Sequence, residues 1–210
     1  MKHYAHLDEL FEAYRSKRSA IRRRLKEYRQ IPPDRYFYEL IYCLMTPQSS
    51  AVHAMHLQQL FESLQFKETD LDPEPLLRRK DSYIRFHKTK SQWIIEMKSR
   101  YDMIFNVLVS PISASEKREW LVNNVKGLSY KESTHFLRNI GKNDKLAILD
   151  RHILRYLKHH RVIKSLPKTL TRKRYLKIEN QFSEFSDSVG ILVDELDLLF
   201  WSNATGEILK

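Results

Sequence analysis

Lys131 occupies a position in the sequence where a lysine could act as a nucleophile. It follows a turn that contains Gly127, and Ser129 with Glu132 matches the Ser-x-x-Glu capping box, which places Lys131 at the second position of a new helix. The positive end of the helix dipole disfavours an ammonium and favours the free amine. A free amine can attack a sugar C1′, and the resulting imine permits β-elimination of the 3′ phosphate. The alternative is a surface lysine whose stem packs on its neighbours.

Asp150 is the second residue whose position favours chemistry. It directly follows the apolar run 146–149 and precedes a predicted helix that ends near His159. A carboxylate at a helix start accepts backbone amides and stays ionised. Such a fixed anion could stabilise an oxocarbenium-like sugar, as carboxylates do in glycoside hydrolysis. The alternative is a plain N-cap without a chemical role.

The residues before Lys131 predict a helix-hairpin-helix, in which two helices are joined by a tight turn that contains a glycine. Lys126, Gly127 and Ser129 are the turn residues that would contact a DNA phosphate, largely through backbone N–H groups. A contact of this kind positions the DNA backbone without reading its bases.

Basic residues are concentrated in the segment that contains both candidates. The chain of 210 residues carries 37 Lys+Arg and 26 Asp+Glu, a formal net charge of +11. Residues 126–177 alone carry a net charge of +12, whereas residues 178–210 carry −6. A folded basic face attracts a polyanion through counterion release, so DNA or RNA is the favoured partner. A solvated helix surface is the alternative.

The elements that must position these residues are predicted to be helices throughout. Only 4 glycines occur, and apolar residues recur at three- and four-residue spacing along nearly the whole chain, which predicts an all-α protein. Prolines mark the breaks between helices. The predicted helices span 5–14, 17–29, 34–45, 51–64, 89–108, 115–125, 130–140, 151–159, 170–186 and 191–200.

Composition excludes several classes of protein. A content of 42% hydrophobic and 11% aromatic residues is too high for a disordered basic tail. Cys43 is the only cysteine, which excludes an intrachain disulfide, a Cys₄ zinc site and a Cys₄ iron–sulfur cluster, and its apolar neighbours indicate core packing. The pairs His53 with His56 and His159 with His160 lack a third ligand at suitable spacing, so no metal is expected.

The chain is expected to be a soluble cytosolic protein. Its N-terminus lacks a secretory apolar core, and no run approaches the roughly 18 consecutive apolar residues that a membrane span needs. The same composition predicts no association with a membrane.

The two candidate residues together resemble the catalytic signature of the helix-hairpin-helix (HhH-GPD) superfamily of DNA glycosylases. A hairpin turn precedes Lys131, an apolar run precedes Asp150, and the two residues are 19 positions apart. In that superfamily the matching lysine is the nucleophile of bifunctional glycosylase/lyases, and the matching aspartate is the essential acid. The usual Gly-x-Gly turn reads Gly127-Leu128-Ser129 here. The endonuclease III branch is excluded, because a chain with one cysteine cannot form its four-cysteine iron–sulfur loop.

The C-terminal segment 198–210 and the block 85–90 resemble the compact type-2 8-oxoguanine DNA glycosylases of archaea and some thermophilic bacteria. The resemblance implies that Phe86 and Trp201 sandwich or wall the flipped base, where an aromatic face offsets part of the lost stacking. It also implies that the terminal group of Lys210 helps to distinguish 8-oxoguanine from guanine. Without the resemblance, the two aromatic residues fit a protein core and Lys210 fits a frayed end.

The loop around Gln48 lies between two predicted helices and reads Pro47-Gln48-Ser49-Ser50. It resembles the loop that in this superfamily inserts a polar side chain into the gap left by the flipped base. Gln48 is therefore the candidate wedge, and an ordinary interhelical turn is the alternative.

The resemblance implies a two-lobed HhH-GPD glycosylase fold with DNA in a cleft between the lobes. Residues 34–144 would form a helical-barrel lobe, with the helix-hairpin-helix at about 115–140. Residues 1–33 and 145–210 would form the second lobe.

The implied function is base-excision repair. A bifunctional enzyme would excise 8-oxoguanine and cleave the abasic site by β-elimination through a lysine Schiff base, without a cofactor or a metal. The expected partner is double-stranded DNA containing 8-oxoguanine or abasic sites, and the expected enzyme is a monomer associated with a prokaryotic nucleoid. One rival is the same chemistry on another damaged or mismatched base. The other is a non-catalytic DNA-binding protein in which Lys131 contacts phosphate.

Overall fold

The computed structural model describes residues 3–208, and these form helices and turns without a β-strand. The all-α fold predicted from the spacing of apolar residues is confirmed. Short 3₁₀ turns occur at Pro33–Arg35 and Phe66–Glu68. The α-helices are α1 (Leu7–Arg29), α2 (Tyr36–Met45), α3 (Ala51–Ser63), α4 (Glu74–Leu77), α5 (His87–Ser99), α6 (Tyr101–Val109), α7 (Ala114–Asn124), α8 (Tyr130–Asn139), α9 (Arg151–His159), α10 (Arg172–Val189) and α11 (Val193–Thr205).

Helix α1 is continuous, so the predicted separation of 5–14 from 17–29 is wrong. The hydroxyl of Ser16 donates to the carbonyl of Ala13 at 2.8 Å, which satisfies this side chain inside the helix. Buried residues also continue along one face of α1, from Leu10 and Tyr14 to Ile21. This shared buried face favours one long helix over two short ones.

The predicted helix 89–108 is divided at Arg100 into α5 and α6. The backbone leaves helical geometry there, with φ −115° and ψ 12°. The Arg100 guanidinium donates to the carbonyl of Asn124, the last residue of α7, at 3.1 Å. Periodicity could not predict this break, because apolar residues continue at helical spacing through it.

Helix α11 extends past the predicted end at residue 200, as far as a left-handed cap at Gly206.

The chain forms two compact units. Residues 31–142 form one of them, which we call the central unit. The described residues of 3–30 and 143–208 form the other, which we call the terminal unit. No helix in the part of the chain described here combines the length and the apolar character needed to cross a membrane.

The central unit is built around α2 and α8. All ten residues of α2 are buried, as are the residues of α8 from Glu132 to Asn139. The Glu39 carboxylate lies in this core and accepts hydrogen bonds from the amides of Gln58 at 2.8 Å and Asn139 at 3.2 Å. These bonds join α2, α3 and α8, so the helix that carries Lys131 is held partly by buried polar contacts.

The terminal unit is built around α11, which packs against α1, α9 and α10. Glu195 of α11 is buried and accepts hydrogen bonds from the Tyr14 hydroxyl and, at 2.7 Å, from Nε of Arg22. Burial and the adjacent Glu195 carboxylate raise the pKa of Tyr14. The rings of Phe200 and Tyr156 stack in parallel with centroids 4.8 Å apart, which joins α11 to α9.

Replacing Glu39 by alanine should lower the free energy of unfolding by about 3 kcal/mol, because the buried amides of Gln58 and Asn139 lose a charged acceptor. Urea denaturation followed by circular dichroism measures this loss. Glu12→Ala, at an exposed position of α1, is the control and should change stability by less than about 0.5 kcal/mol. Similar losses in the two variants would contradict a structural role for the Glu39 contacts.

Candidate active site

The helix-hairpin-helix is present in the central unit. Helix α7 begins with a capping box between Ser113 and Glu116. It is followed by a turn in which the Leu128 N–H donates to the Val125 carbonyl at 3.2 Å. Helix α8 then begins after Ser129, which is its N-cap. Short capping sequences therefore define where both helices of the hairpin begin.

Gly127 is required in this turn for two reasons. Its φ of +89° lies in the left-handed region, which favours glycine. In addition, a Cβ at this position would overlap the indole ring of Trp93 on α5. The turn therefore packs directly on Trp93, and this contact leaves no room for a side chain at residue 127.

Lys131 lies at the second position of α8, as predicted. The Glu132 carboxylate accepts a hydrogen bond from the backbone N–H of Ser129, at 3.3 Å, and the Ser129 side chain accepts one from the Glu132 backbone N–H, which together form the predicted capping box. The Ser129 hydroxyl also donates to the Glu132 carboxylate. The same carboxylate lies 3.5 Å from Nζ of Lys131, whose side chain is 25% exposed. Glu132 thus both caps the helix and holds the lysine amine near the helix start, where the amine stays accessible.

Lys126, one of the predicted phosphate contacts, has an exposed side chain. Its ammonium forms an ion pair with Glu96 of α5 at 2.8 Å, and 67% of its side chain is exposed. An exposed pair of this kind contributes little to stability. The lysine can therefore exchange its partner for another anion at small cost.

Asp150 is the N-cap of α9, as predicted. Its Oδ1 accepts hydrogen bonds from the backbone N–H groups of His152 at 2.7 Å and Ile153 at 2.8 Å. The buried segment before it is fixed by α10. There the Tyr175 hydroxyl donates to the Ala147 carbonyl at 2.6 Å, and the Glu179 carboxylate accepts the Ala147 N–H at 2.8 Å. Tyr175 and Glu179 support Asp150 and were missed from the sequence.

Trp201 lies in the same unit as Asp150 and is connected to it through His152. The imidazole of His152 meets the indole of Trp201 edge to face, with centroids 5.3 Å apart. The indole Nε1 is buried and has no hydrogen-bond partner within residues 3–208. A buried donor without a partner is uncommon in proteins and indicates a place where a ligand group could bind.

Phe86 and Gln48 both adopt left-handed backbone conformations, with φ +60° and φ +55° respectively. Such values are uncommon for residues other than glycine and are concentrated at functional sites. Phe86 is 53% exposed, and the Arg85 guanidinium lies over its ring with 5.4 Å to the ring centroid. Phe86 is therefore a surface residue, in contrast to the core residue that composition alone allowed. Gln48 is also exposed.

Lys90 connects the Gln48 loop to the Phe86 turn. Its side chain is buried, with 1% exposure, and its ammonium donates to the carbonyls of Met45 at 2.7 Å and Pro47 at 2.6 Å. It also donates to the Ser49 hydroxyl at 3.2 Å, and this hydroxyl accepts the Arg85 N–H at 3.0 Å. The two predicted base-contacting elements are thus fixed to each other by one buried cation.

Burial lowers the pKa of Lys90 to about 8. The Glu132 carboxylate opposes this effect, and the positive charges of Arg85 and Lys131 add to it. Lys90 was missed from the sequence. A signal was present, because Lys90 shares an apolar helical stripe with Ile94 and Met97.

The predicted residues divide between the two units. The central unit contains the hairpin residues Lys126, Gly127, Ser129 and Lys131 and the pair Gln48 and Phe86. The terminal unit contains Asp150 and Trp201. Lys210, the predicted contact to the base, lies outside the described residues.

The chain is similar to known proteins over most of its length. A family model described as 8-oxoguanine DNA glycosylase matches residues 21–191. The protein named 8-oxoguanine DNA glycosylase/AP lyase in Fusobacterium nucleatum is 38% identical, and the match covers 100% of both chains. A protein of the same name in Methanocaldococcus jannaschii is 34% identical over 88% of this chain and 87% of that relative.

The structure is also similar to solved structures of proteins with this name. The crystal structure of the M. jannaschii 8-oxoguanine DNA glycosylase is similar over 100% of both chains, with a TM-score of 0.85 and 31% identity. The M. jannaschii glycosylase/lyase in complex with a 15mer DNA containing 8-oxoguanine has a TM-score of 0.85 and 32% identity, and the match covers 96% of this chain and 100% of that one.

Gly127→Ala should destabilise the central unit by about 2–4 kcal/mol, since it adds both a left-handed alanine and an overlap with Trp93. Gly206→Ala is a matched control, because Gly206 has a similar φ of +86° but open space around it. It should cost only about 1 kcal/mol. Thermal and urea unfolding of the two variants compare these costs, and equal losses would mean that the Trp93 contact does not restrict residue 127.

Lys90→Met should remove one component of the pH dependence of stability. The folded protein releases the Lys90 proton near pH 8, whereas an unfolded lysine keeps its proton until about pH 10.4. Unfolding therefore takes up a proton between these values, and the parent protein should gain about 3 kcal/mol relative to the variant as the pH rises through them. Urea denaturation from pH 7 to 10.5 measures the difference.

The control for this experiment is Lys88→Met, at an exposed position of the same helix. Its stability relative to the parent should stay constant over the same pH range. A constant difference for Lys90→Met as well would show that Lys90 titrates like a solvated lysine.

Proposed function

The chain belongs to the 8-oxoguanine DNA glycosylase family, and from this premise we propose that it excises 8-oxoguanine from DNA and cleaves the resulting abasic site by β-elimination. The resemblance noted in the sequence is confirmed at the level of the family. The observation that carries the proposal is the position of Lys131, an accessible amine held at the capped start of the second hairpin helix. In the alternative of a non-catalytic DNA-binding protein, this amine would only contact a phosphate.

Lys131 is the proposed nucleophile. Its neutral amine attacks C1′ of the damaged nucleotide, the bond from C1′ to N9 of the base breaks, and the electron pair leaves with the base, which takes up a proton. Ring opening then gives an imine between Nζ and C1′. The imine accepts electrons from C2′ when the C2′ proton is removed, and the 3′ phosphate leaves by β-elimination. The strand is therefore cut 3′ to the lesion.

Asp150 is the proposed anion that assists excision. Two backbone amides donate to its Oδ1 and fix the carboxylate at the start of α9. The sugar develops positive charge as the C1′–N9 bond breaks, and a fixed carboxylate stabilises that charge. Because the amides are part of the helix start, the carboxylate requires no reorganisation when the charge appears.

Phe86 and Trp201 are each proposed to contact the flipped base. An extruded base loses its stacking in the duplex, and an exposed aromatic ring such as Phe86 replaces part of it. Gln48 is the proposed wedge that fills the gap in the duplex. Lys90 supports both residues, because its hydrogen bonds fix the Gln48 loop relative to the Phe86 turn. The terminal group of Lys210 is the proposed contact that distinguishes 8-oxoguanine from guanine.

The hairpin residues Lys126, Gly127 and Ser129 are the proposed phosphate contacts. The net charge of +12 over residues 126–177 supports a polyanionic partner. We propose double-stranded DNA containing 8-oxoguanine or an abasic site as this partner. The proposed enzyme acts as a monomer on nucleoid DNA in a prokaryotic cytoplasm, away from membranes and without a cofactor.

Borohydride trapping on duplex DNA with 8-oxoguanine tests this mechanism. Reduction converts the imine to a stable covalent protein–DNA adduct, which the parent protein should form and Lys131→Gln should not. Lys126→Gln is the control, because it removes a neighbouring lysine of the same hairpin that is not the nucleophile. It should keep the adduct while its binding becomes weaker and less dependent on salt. Circular dichroism of each variant checks that the helices are intact.

A panel of lesions separates the rivals. Trapping on another damaged or mismatched base, but not on 8-oxoguanine, would identify a glycosylase of different specificity. Absence of an adduct on every lesion and on a preformed abasic site would support the non-catalytic DNA-binding rival. An undiminished adduct in Lys131→Gln would show that another amine is the nucleophile.

A further inference from the structure

Three exposed side chains of the terminal unit form a cluster that the proposed reaction does not use. The candidate ligand atoms of His6, Glu9 and His159 all lie within 4.8 Å of one another. Nε2 of His159 is 3.2 Å from Oε2 of Glu9, and the rings of His6 and His159 stack with centroids 4.1 Å apart. We propose that this His–Glu–His cluster binds a divalent transition-metal ion, with zinc as the representative ion.

The donor set determines the class of ion. Two imidazole nitrogens and one carboxylate oxygen form a set typical of zinc sites that keep one position for water. Imidazole ligands favour Zn²⁺, Cu²⁺ or Ni²⁺, whereas Mg²⁺ and Ca²⁺ favour sites made only of oxygen. The cluster therefore selects a transition metal over the alkaline-earth ions.

The separations are close to those a zinc ion needs. With bonds of about 2.0–2.1 Å, ligand atoms around a tetrahedral ion are about 3.3 Å apart. The pair His159 and Glu9 already has this separation. The stacked rings must turn to direct both lone pairs at one ion, since the lone pair of an imidazole nitrogen lies in the ring plane. Both side chains are exposed, which leaves room for this rotation, and the edge of the His159 ring also meets the buried ring of His160, with centroids 5.0 Å apart.

The backbone holds the two histidines together although they are far apart in the sequence. The residues next to them pair directly: the Ala5 N–H donates to the His160 carbonyl at 3.2 Å, and Nδ1 of His160 donates to the Ala5 carbonyl at 2.9 Å. His160 is buried and stacks with Phe185 and Phe200. The pairing thus rests on the core of the unit, and it fixes His6 beside His159.

Local geometry adds to this arrangement. His6 has a left-handed φ of +56° at the start of α1, which makes the chain turn where its ring meets His159. Glu9 is in the first turn of α1, and His159 is the last residue of α9, where the negative end of the helix dipole favours a cation. A bound ion would link the first residues of the chain to the helix that begins at Asp150.

Titration of zinc chloride into the untagged full-length protein tests the proposal. Isothermal titration calorimetry should give one site per chain, and a zinc concentration one hundred times the dissociation constant should raise Tm by about 5–10 °C. Magnesium at the same concentration should have no effect. His6→Ala and His159→Ala should each weaken zinc binding by roughly tenfold or more.

His56→Ala is the matched control, because His56 is an exposed helix histidine outside the cluster. It should bind zinc like the parent protein. The cluster residues are exposed, so the variants should keep the parent circular dichroism spectrum and the parent Tm without metal. Undiminished one-to-one zinc binding in the double variant His6→Ala/His159→Ala would place the ion elsewhere and overturn the proposal. Absence of binding and of a Tm shift in the parent protein would also overturn it.

Discussion

The buried ammonium of Lys90 needs hydrogen-bond acceptors, and this need determines the shape of two loops in the central unit. A buried charge is costly unless polar groups surround it. The carbonyls of Met45 and Pro47 and the Ser49 hydroxyl supply these contacts, so the chain must bend around Nζ. Gln48 lies inside that bend, which explains why it adopts a left-handed conformation and stays exposed.

A second buried lysine binds backbone carbonyls in the same way at the start of the hairpin. Lys117 donates to the carbonyls of Ser110 and Ile112 at 2.8 and 2.6 Å, and burial lowers its pKa. These bonds fix the segment that leads into α7. A chain with only 4 glycines has few residues that adapt freely to tight turns. Interior lysines hold such turns by binding several carbonyls at once. The hairpin is therefore fixed at two places: Lys117 holds the start of α7, and Trp93 limits the turn at Gly127.

The features that could be predicted from the sequence are those that depend on a few successive residues. The caps at Ser129 and Asp150 are of this kind, because an N-cap needs only its own side chain and the next three amides. The break at Arg100 and the contacts of Lys90 depend on residues 24 to 45 positions away, so no local pattern shows them. His6 and His159 are the extreme case, since the pairing of Ala5 with His160 brings the chain start to the end of α9.

The structure also changes how the charge of residues 126–177 should be interpreted. Arg138 contributes to the net charge of +12 but is buried in α8, so it is not available to a polyanion. In α9, by contrast, Arg151, Arg155 and Lys158 are exposed. Only accessible cations release counterions when they meet phosphate. The electrostatic attraction for DNA in this segment therefore comes from surface residues such as those of α9, which follow directly on Asp150, and the net charge of the segment overstates it.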